Sequence, residues 1–319
     1  MLKKYNFIIA GCCIHLYTDV SSVVKKLNTE PRTVLKTIPC NITKCGDFDQ
    51  IVEDKNCVFI LSGNEKMMNV DKEKNTATLI SPVGEFRFPD FVYVLLGLFV
   101  NLLKDEKKYL LHSATVADDN NRSIILVGDP GSGKSTLAYH LIRNYNYKLI
   151  SNDTTVLSMQ DDKLRTITGT KQMQLRLGAV KLYFPDLLPS LEKEDSTKNE
   201  WDCKPYINNI LEDANVEFAD ESIVKSIFHI TTAKDTELAI REEEEVDKRL
   251  YIYEQLIRQI RSTRNLIVGY NYPLPSFETE AVNLDIAALS KRIVDTTAIY
   301  DIRGSINEVA KEMVKRHEK

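Results

Sequence analysis

The chain has one tryptophan in 319 residues, only 12 glycines and 10 prolines, and six cysteines with no CxxC pair among them. So little glycine and proline leaves no collagen-like or Gly/Pro-rich composition. The cysteines (Cys12, Cys13, Cys40, Cys45, Cys57, Cys203) have neither metal-site nor disulfide-framework spacing, and they read as reduced core residues of a cytoplasmic protein. Positive charge is not in excess. Forty-two Lys+Arg against 46 Asp+Glu leave a net charge of −4, so no basic field gathers a phosphate backbone and nucleic acid is not an expected partner. Long hydrophobic runs are missing too: the most apolar helix-length stretch, Phe91 to Leu103, falls well short of the ~20 residues that cross a bilayer. It predicts a buried helix and no membrane partner. Lys3-Lys4 ahead of Ile9-Ala10-Gly11-Cys12 imitates the end of a lipoprotein signal, but the apolar stretch before the cysteine, Phe7 to Ala10, is under the ~7 residues that a secretory segment needs. A first β-strand is expected there.

What is present is a globular balance of 43% hydrophobic and 28% charged residues, in a length that suits one large domain or two ordinary ones. Residues 5–17 are rich in β-formers, Asp19 to Leu27 has helical spacing, and Thr33–Ile38, Cys57–Leu61 and Thr76–Ile80 look strand-like. The stretch Gly63 to Pro89 mixes charge, Asn and proline, which places a boundary near residue 85. The expected organisation is a small N-terminal α/β domain over 1–85 and a larger domain over 86–319. Asp90 can cap the apolar helix. Two apolar runs follow, Tyr109–Ala117 and Ser123–Gly128, and the turn Asp118-Asp119-Asn120-Asn121 between them predicts a β-hairpin. Further strands are expected at Lys148–Ile150, Val156–Leu157, Leu175–Leu182, Ile223–Ile230 and Asn265–Val268, with Leu191–Asn199 a charged loop. The acidic run Glu242–Glu245 opens a helix whose apolar stripe is Leu250, Tyr253, Ile257 and Ile260, and an amphipathic helix from Leu284 to Ile293 closes the chain.

The second arm of the hairpin runs into Gly128-Asp129-Pro130-Gly131-Ser132-Gly133-Lys134-Ser135-Thr136, a gapless G-x-x-x-x-G-K-[ST]. Each residue type has a physical task. Glycines let successive N–H groups turn inward at phosphate oxygens, the following helix adds its positive end, Lys134 supplies a charge for the β/γ oxygens, and Ser135 can ligate Mg²⁺. The loop lies between an apolar strand (Ile124–Val127) and a helix (Ser135–Arg143), the context that separates a nucleotide site from an ordinary tight turn. Asp153 ends the next strand. A parallel βαβ unit would bring it beside the loop, to hold Mg²⁺ directly or through water or to accept a proton from an attacking hydroxyl. No base-reading N/T-K-x-D motif is present, since Thr170-Lys171-Gln172-Met173 lacks the Asp, and no LSGGQ occurs, which weakens the switch and transporter readings.

Leu110-Leu111-His112-Ser113-Ala114-Thr115-Val116, Ile124-Ile125-Leu126-Val127-Gly128, the loop GDPGSGKST, and Leu149-Ile150-Ser151-Asn152-Asp153 together resemble the catalytic core of HPr kinase/phosphorylase. More broadly, they are similar to the HPr-kinase-related proteins of phosphoenolpyruvate-carboxykinase-like fold. The match covers residues 110–157, about a seventh of the chain. It implies an α/β fold with a β-hairpin before the P-loop, and an ATP- and Mg²⁺-dependent kinase acting on a hydroxyl, such as a serine of a carrier protein or peptide. It also implies His112 near the phosphates and Asp153 on metal. Gln174-Leu175-Arg176 can be aligned with the start of the family's Glu-Ile-Arg signature, which would make Arg176 a charge neutraliser. One departure stands out: where the family commonly has a first Asp as base, this chain has Asn152, whose amide cannot take a proton. Asp153 then combines both roles, or the proton leaves late in a loose transition state, or nucleotide is bound without fast turnover.

The first expectation is a kinase that transfers the γ-phosphoryl of ATP to a hydroxyl acceptor, a serine of a peptide or protein, with which a homo-oligomer is compatible. A nucleoside or small-molecule kinase ranks below it, because 127 residues and a hairpin precede the loop, and a non-catalytic nucleotide-binding module draws support from Asn152. His15, His140 and His229 read as packing or surface residues, and Trp201, Asp202 and Lys204 could belong to a substrate-recognition segment.

Overall fold

The computed structural model describes residues 1–48, 54–191, 199–261 and 266–318. It is a mixed α/β protein with two compact units. The first takes Met1–Leu111, Val156–Met159 and Arg249–Lys291, and the second His112–Thr155, Gln160–Lys248 and Arg292–Lys319. The boundary expected near residue 85 falls inside the first unit, because helix α3 packs on the N-terminal sheet and cannot be cut from it. The expected loop at Leu191–Asn199 lies mostly outside the described residues.

The first unit opens with β1 (Leu2–Ile9) and β2 (Cys12–Thr18), paired antiparallel. Ala10 and Gly11 both take positive φ (48° and 85°) between them, as a two-residue hairpin turn requires. Helices α1 (Ser21–Thr29) and α2 (Arg32–Leu35) come next, then β3 (Asn41–Phe48), β4 (Cys57–Ser62), β5 (Met67–Asp71) and β6 (Thr76–Ser81). The strand expected over Thr33–Ile38 is thus helical at its start: Pro31 presets a helical φ of −60°. The six strands run in the order β3-β1-β2-β4-β6-β5. Helix α3 (Phe88–Asp105) lays Phe91, Val94, Leu95, Leu98 and Phe99 into the core, where Phe91 meets Phe7 edge to face at 5.7 Å. The six cysteines are unbridged and four of them are buried, but Cys45 is exposed on β3 and Cys13 is only partly covered.

Strand β7 (Lys108–His112) leads into β8 (Ala114–Ala117), β9 (Arg122–Val127), α4 (Lys134–Tyr145), β10 (Lys148–Ser151), β11 (Thr154–Gln160) and β12 (Lys163–Gly169). Then come α5 (Leu177–Tyr183), α6 (Asn208–Asp213), β13 (Ser222–Thr232), β14 (Ala239–Arg241), α7 (Glu245–Ile260), β15 (Leu266–Ile267), β16 (Tyr272–Pro273), α8 (Glu280–Thr296), β17 (Ala298–Gly304) and α9 (Ile306–Glu318). Several expectations change here. Leu175–Leu182 is mostly the helix α5, since a short apolar run reads equally well with either period. In α7 the buried stripe is Ile252, Leu256, Ile257 and Ile260, whereas Leu250 is exposed. The chain also continues past the expected closing helix into β17 and α9.

In the second unit β8 pairs antiparallel with β9 and with β10, while β13 pairs parallel with β9 and with β17. Strands β9, β10, β13 and β17 therefore all point the same way, and their carboxyl ends share one edge. On one face Leu126, Phe228, Ile230 and Ile302 form a core with Leu137 and Leu141 of α4 and Val309 and Met313 of α9, all essentially sealed from solvent. The hairpin turn is locked at its own end. Asp118 accepts the N–H groups of Asn120 (2.9 Å) and Arg122 (2.8 Å) and the Arg122 Nε (2.8 Å), and it faces Nε2 of the buried His317 at 3.2 Å.

Burial holds the His317 imidazole below its ordinary 6.5, even against the pull of Asp118. Burial alone would raise Asp118, but hydrogen bonds from the backbone and side chain of Arg122 keep it below 3.8. Both shifts act with one sign: the unfolded chain takes up protons that the folded chain refuses, so stability is lost as pH falls, first below about 6.5 and again below about 4. His317→Gln keeps a donor without titrating, and it is expected to flatten the decline of thermal midpoint between pH 7 and 5.

Candidate active site

The loop between β9 and α4 is shaped by backbone alone. Gly128, Gly131 and Gly133 take φ of 147°, 93° and 97°, conformations that side-chain-bearing residues rarely adopt. Two of them also press against β13. A Cβ on Gly133 would fall 1.9 Å from Thr232 Oγ1, and one on Gly128 would fall 2.8 Å from the Ile230 carbonyl oxygen. Thr232 fastens the contact, because its N–H and Oγ1 both donate to the Ser132 carbonyl, at 2.9 and 3.1 Å. Lys134, 8% exposed, folds back over the loop, with Nζ donating to the Gly128 and Asp129 carbonyls at 2.7 and 3.1 Å. Above Gly131 the space is open: a Cβ there would meet nothing within 4 Å. Helix α4 begins at Lys134, so the first N–H groups of that helix, through Ser135 and Thr136, have no acceptor within it. Asp129 and Pro130 form the exposed lip of the loop.

Asp153 lies on the same edge of the sheet, but not as the immediate neighbour that a simple βαβ unit would make it. Strand β8 runs between β9 and β10, so Asp153 stands two strand spacings from the loop strand, about 10 Å at the backbone. Its partner is His112, just before β8. His112 Nδ1 is 2.9 Å from the Asp153 carbonyl oxygen and 3.4 Å from its Oδ1. Both are acceptors, so in the neutral ring Nδ1 carries the hydrogen and Nε2 the lone pair. Ser113 N–H also donates to the Asp153 carbonyl, at 3.0 Å.

Asn152 turns the other way. Its Nδ2 donates to the Gln172 carbonyl at 3.3 Å, and its Oδ1 is sealed from solvent with no partner. Arg176 is not gathered with His112 and Asp153: it directly precedes α5, and its Nη1 donates to the Trp201 carbonyl at 2.6 Å. The Trp201 indole lies over Gly178, where a Cβ would come within 2.6 Å of the ring. His140, expected at the surface, is half-buried near Phe184, and burial lowers its pKa. His229 carries more than the sequence suggested. It is aligned with Val127 of β9 and Asp301 of β17 at the same carboxyl edge, and its Nδ1 is 3.3 Å from Asp301 Oδ1. Nothing in the sequence spacing joins residues 229 and 301; only the parallel pairing of β13 and β17 does.

No family model matches the chain, and no curated protein does. Among solved structures it is distantly similar to the Hpr(Ser) kinase/phosphatase from Coxiella burnetii, at 13% identity over 56% of this chain and 92% of that one, with a TM-score of 0.24.

The residues present suit a polyphosphate with a magnesium ion. The glycine hollow is open at its mouth, and the buried Ser132 Oγ has no partner. No cluster of three or more His, Cys, Asp or Glu able to hold a metal occurs among the described residues. Magnesium takes one or two protein oxygens and completes its shell with phosphates and water. Ser135 and Asp153 are the residues that would hold it.

Two outcomes follow from this geometry. Gly133→Ala imposes an L side chain at φ +97° against Thr232, and urea unfolding is expected to show a cost of roughly 1–3 kcal/mol. Adding Thr232→Ala removes the clash and not the backbone strain, so it restores only part of the loss. Asn152→Asp puts a charge where the amide oxygen is sealed in, so urea unfolding is expected to show a loss of roughly 2–4 kcal/mol.

Proposed function

We propose that the chain is an ATP- and Mg²⁺-dependent phosphotransferase that moves the γ-phosphoryl group to a hydroxyl acceptor. The observation that carries this reading is the glycine-shaped loop opening α4, on one sheet edge with the paired His112 and Asp153. The resemblance of residues 110–157 to HPr kinase and its relatives favours a serine of a peptide or protein as the acceptor.

In this reading the N–H groups of the loop and of the first turn of α4 bind the phosphate oxygens, and Lys134 leaves the loop carbonyls for the β/γ oxygens. Magnesium, held by Ser135 and Asp153, would neutralise charge on those oxygens. Most of the rate comes from orientation and charge neutralisation, because a loose phosphoryl transition state asks little of a base. The proton of the acceptor hydroxyl then has two destinations: Nε2 of His112, whose tautomer is set by the Asp153 carbonyl and carboxylate, or water, after most of the transfer has taken place. Asn152 takes no part in that step.

The inward turn of Asn152 supports a second reading, a module that binds nucleotide without turning it over. Calorimetry with ATP and transfer assays on seryl peptides and small alcohols separate the two. Lys134→Ala is expected to abolish measurable ATP binding, and Asp153→Asn to cut transfer on the order of 10²–10³-fold. A flat ATP titration of the wild type sinks both readings. Equal transfer by wild type and Asp153→Asn removes Asp153 from the mechanism, and tight binding with no transfer to any acceptor favours the module.

A further inference from the structure

Asp153 lies in a turn between β10 and β11, where no strand ladder fixes the backbone, yet its position is over-determined by Thr170. This residue follows β12 and is 1% exposed. Its Oγ1 accepts the N–H groups of Asp153 at 2.9 Å and Thr154 at 3.1 Å. Its carbonyl accepts the N–H of Asn152 at 2.9 Å, and its own N–H donates to the Thr154 carbonyl at 3.1 Å. The three residues of the turn are thus gripped from both sides by one residue.

A hydroxyl oxygen that already takes two N–H groups has one proton left to give, and Ser151 Oγ stands 3.2 Å away. Ser151 in turn donates to the Ser113 carbonyl at 3.4 Å. The direction of the chain is therefore set, from Thr170 through Ser151 to the residue beside His112. Close approach of the backbones is built in: a Cβ on Gly169 would fall 2.4 Å from Ser151 Cβ and 2.6 Å from the Ile150 carbonyl oxygen. Lys171, on the other side of Thr170, adds a hydrogen bond to that same carbonyl at 2.9 Å.

We propose that Thr170 is a positioning residue for the metal-holding carboxylate: its hydroxyl sets the backbone from which Asp153 projects and, through Ser151 and Ser113, the seating of His112 against it. The consequence for catalysis rests on the phosphotransferase reading; the clasp itself does not. Supporting partners of this kind typically change metal affinity or activity by about 10–100-fold when removed.

Thr170→Val keeps the shape and removes the acceptor of two N–H groups. Calorimetric titration with ATP, with and without Mg²⁺, is expected to show the tightening by Mg²⁺ cut by about 10–100-fold, while affinity for metal-free ATP stays at the wild-type level. Thr170→Ser retains the oxygen and is expected to behave as wild type. The control is Thr166→Val, which removes another buried hydroxyl, one bonded to the Asp220 carbonyl at 2.9 Å and Ser222 Oγ at 2.8 Å and to no residue of the Asp153 turn. Its Mg²⁺ effect is expected to be intact. Hydrogen exchange reads the clasp without any nucleotide: the amides of Asp153 and Thr154 should exchange faster in Thr170→Val and not in Thr166→Val. An unchanged Mg²⁺ effect in Thr170→Val, or an equal loss in Thr166→Val, overturns the positioning role. Should wild type bind no nucleotide, the functional reading falls alone, and unaltered exchange of those two amides is then what overturns the clasp. If Thr170→Val does not fold, Thr170→Cys, with a weaker sulfur acceptor, is read by the same exchange experiment.

Discussion

A glycine-rich loop between a strand and a helix has no side-chain core of its own, so something else must hold its backbone in shape. Here that support is β13. Its last residues back directly onto Gly128 and Gly133, and Thr232 spends both its N–H and its hydroxyl on the Ser132 carbonyl. Glycine at these positions answers two demands at once, positive φ and the absence of a Cβ against the neighbouring strand. The hydrophobic packing of Leu126 and Phe228 beneath α4 keeps β9 and β13 in that relation.

The same edge of the sheet collects the remaining chemistry. Four strands with a common direction end there, and β8 starts there, so His112, Asp153, His229 and Asp301 reach one side of the unit from distant parts of the sequence. The result is a His–Asp pair on each side of the loop strand, His112 with Asp153 and His229 with Asp301. Side chains at strand ends are free of the ladder and can face a ligand, which is why open α/β sheets place their sites at this edge.

Asn152 acquires a physical meaning in this setting. Next to a residue that would hold a cation, an amide turned into the protein keeps a second negative charge out of a sealed position and anchors the turn to the segment carrying Gln172. The turn is therefore asymmetric, with the Asn152 amide held inward and the Asp153 carboxylate partly exposed.

The loop, its strand and helix, the hairpin before it and the carboxylate after it were legible in the sequence, because each depends on local conditions: glycine φ freedom, short apolar periods and polar turn residues. The apolar run 91–103 was equally plain as a buried helix. What the linear order hid were quantities decided by strand order. The insertion of β8 between β9 and β10 moves Asp153 one strand further from the loop, and the pairing of β13 with β17 makes a His–Asp pair from residues 229 and 301. The boundary near residue 85 was misplaced for a related reason, since α3 buries its apolar face in the sheet that precedes it. Thr170 escaped notice because a threonine after a strand has no sequence mark; only tertiary folding places its hydroxyl under two particular N–H groups. Sequence by itself determined which local shapes were open to the backbone, and the tertiary structure decided which side chains met, because long-range pairing sets the distances on which charge and hydrogen bonding depend.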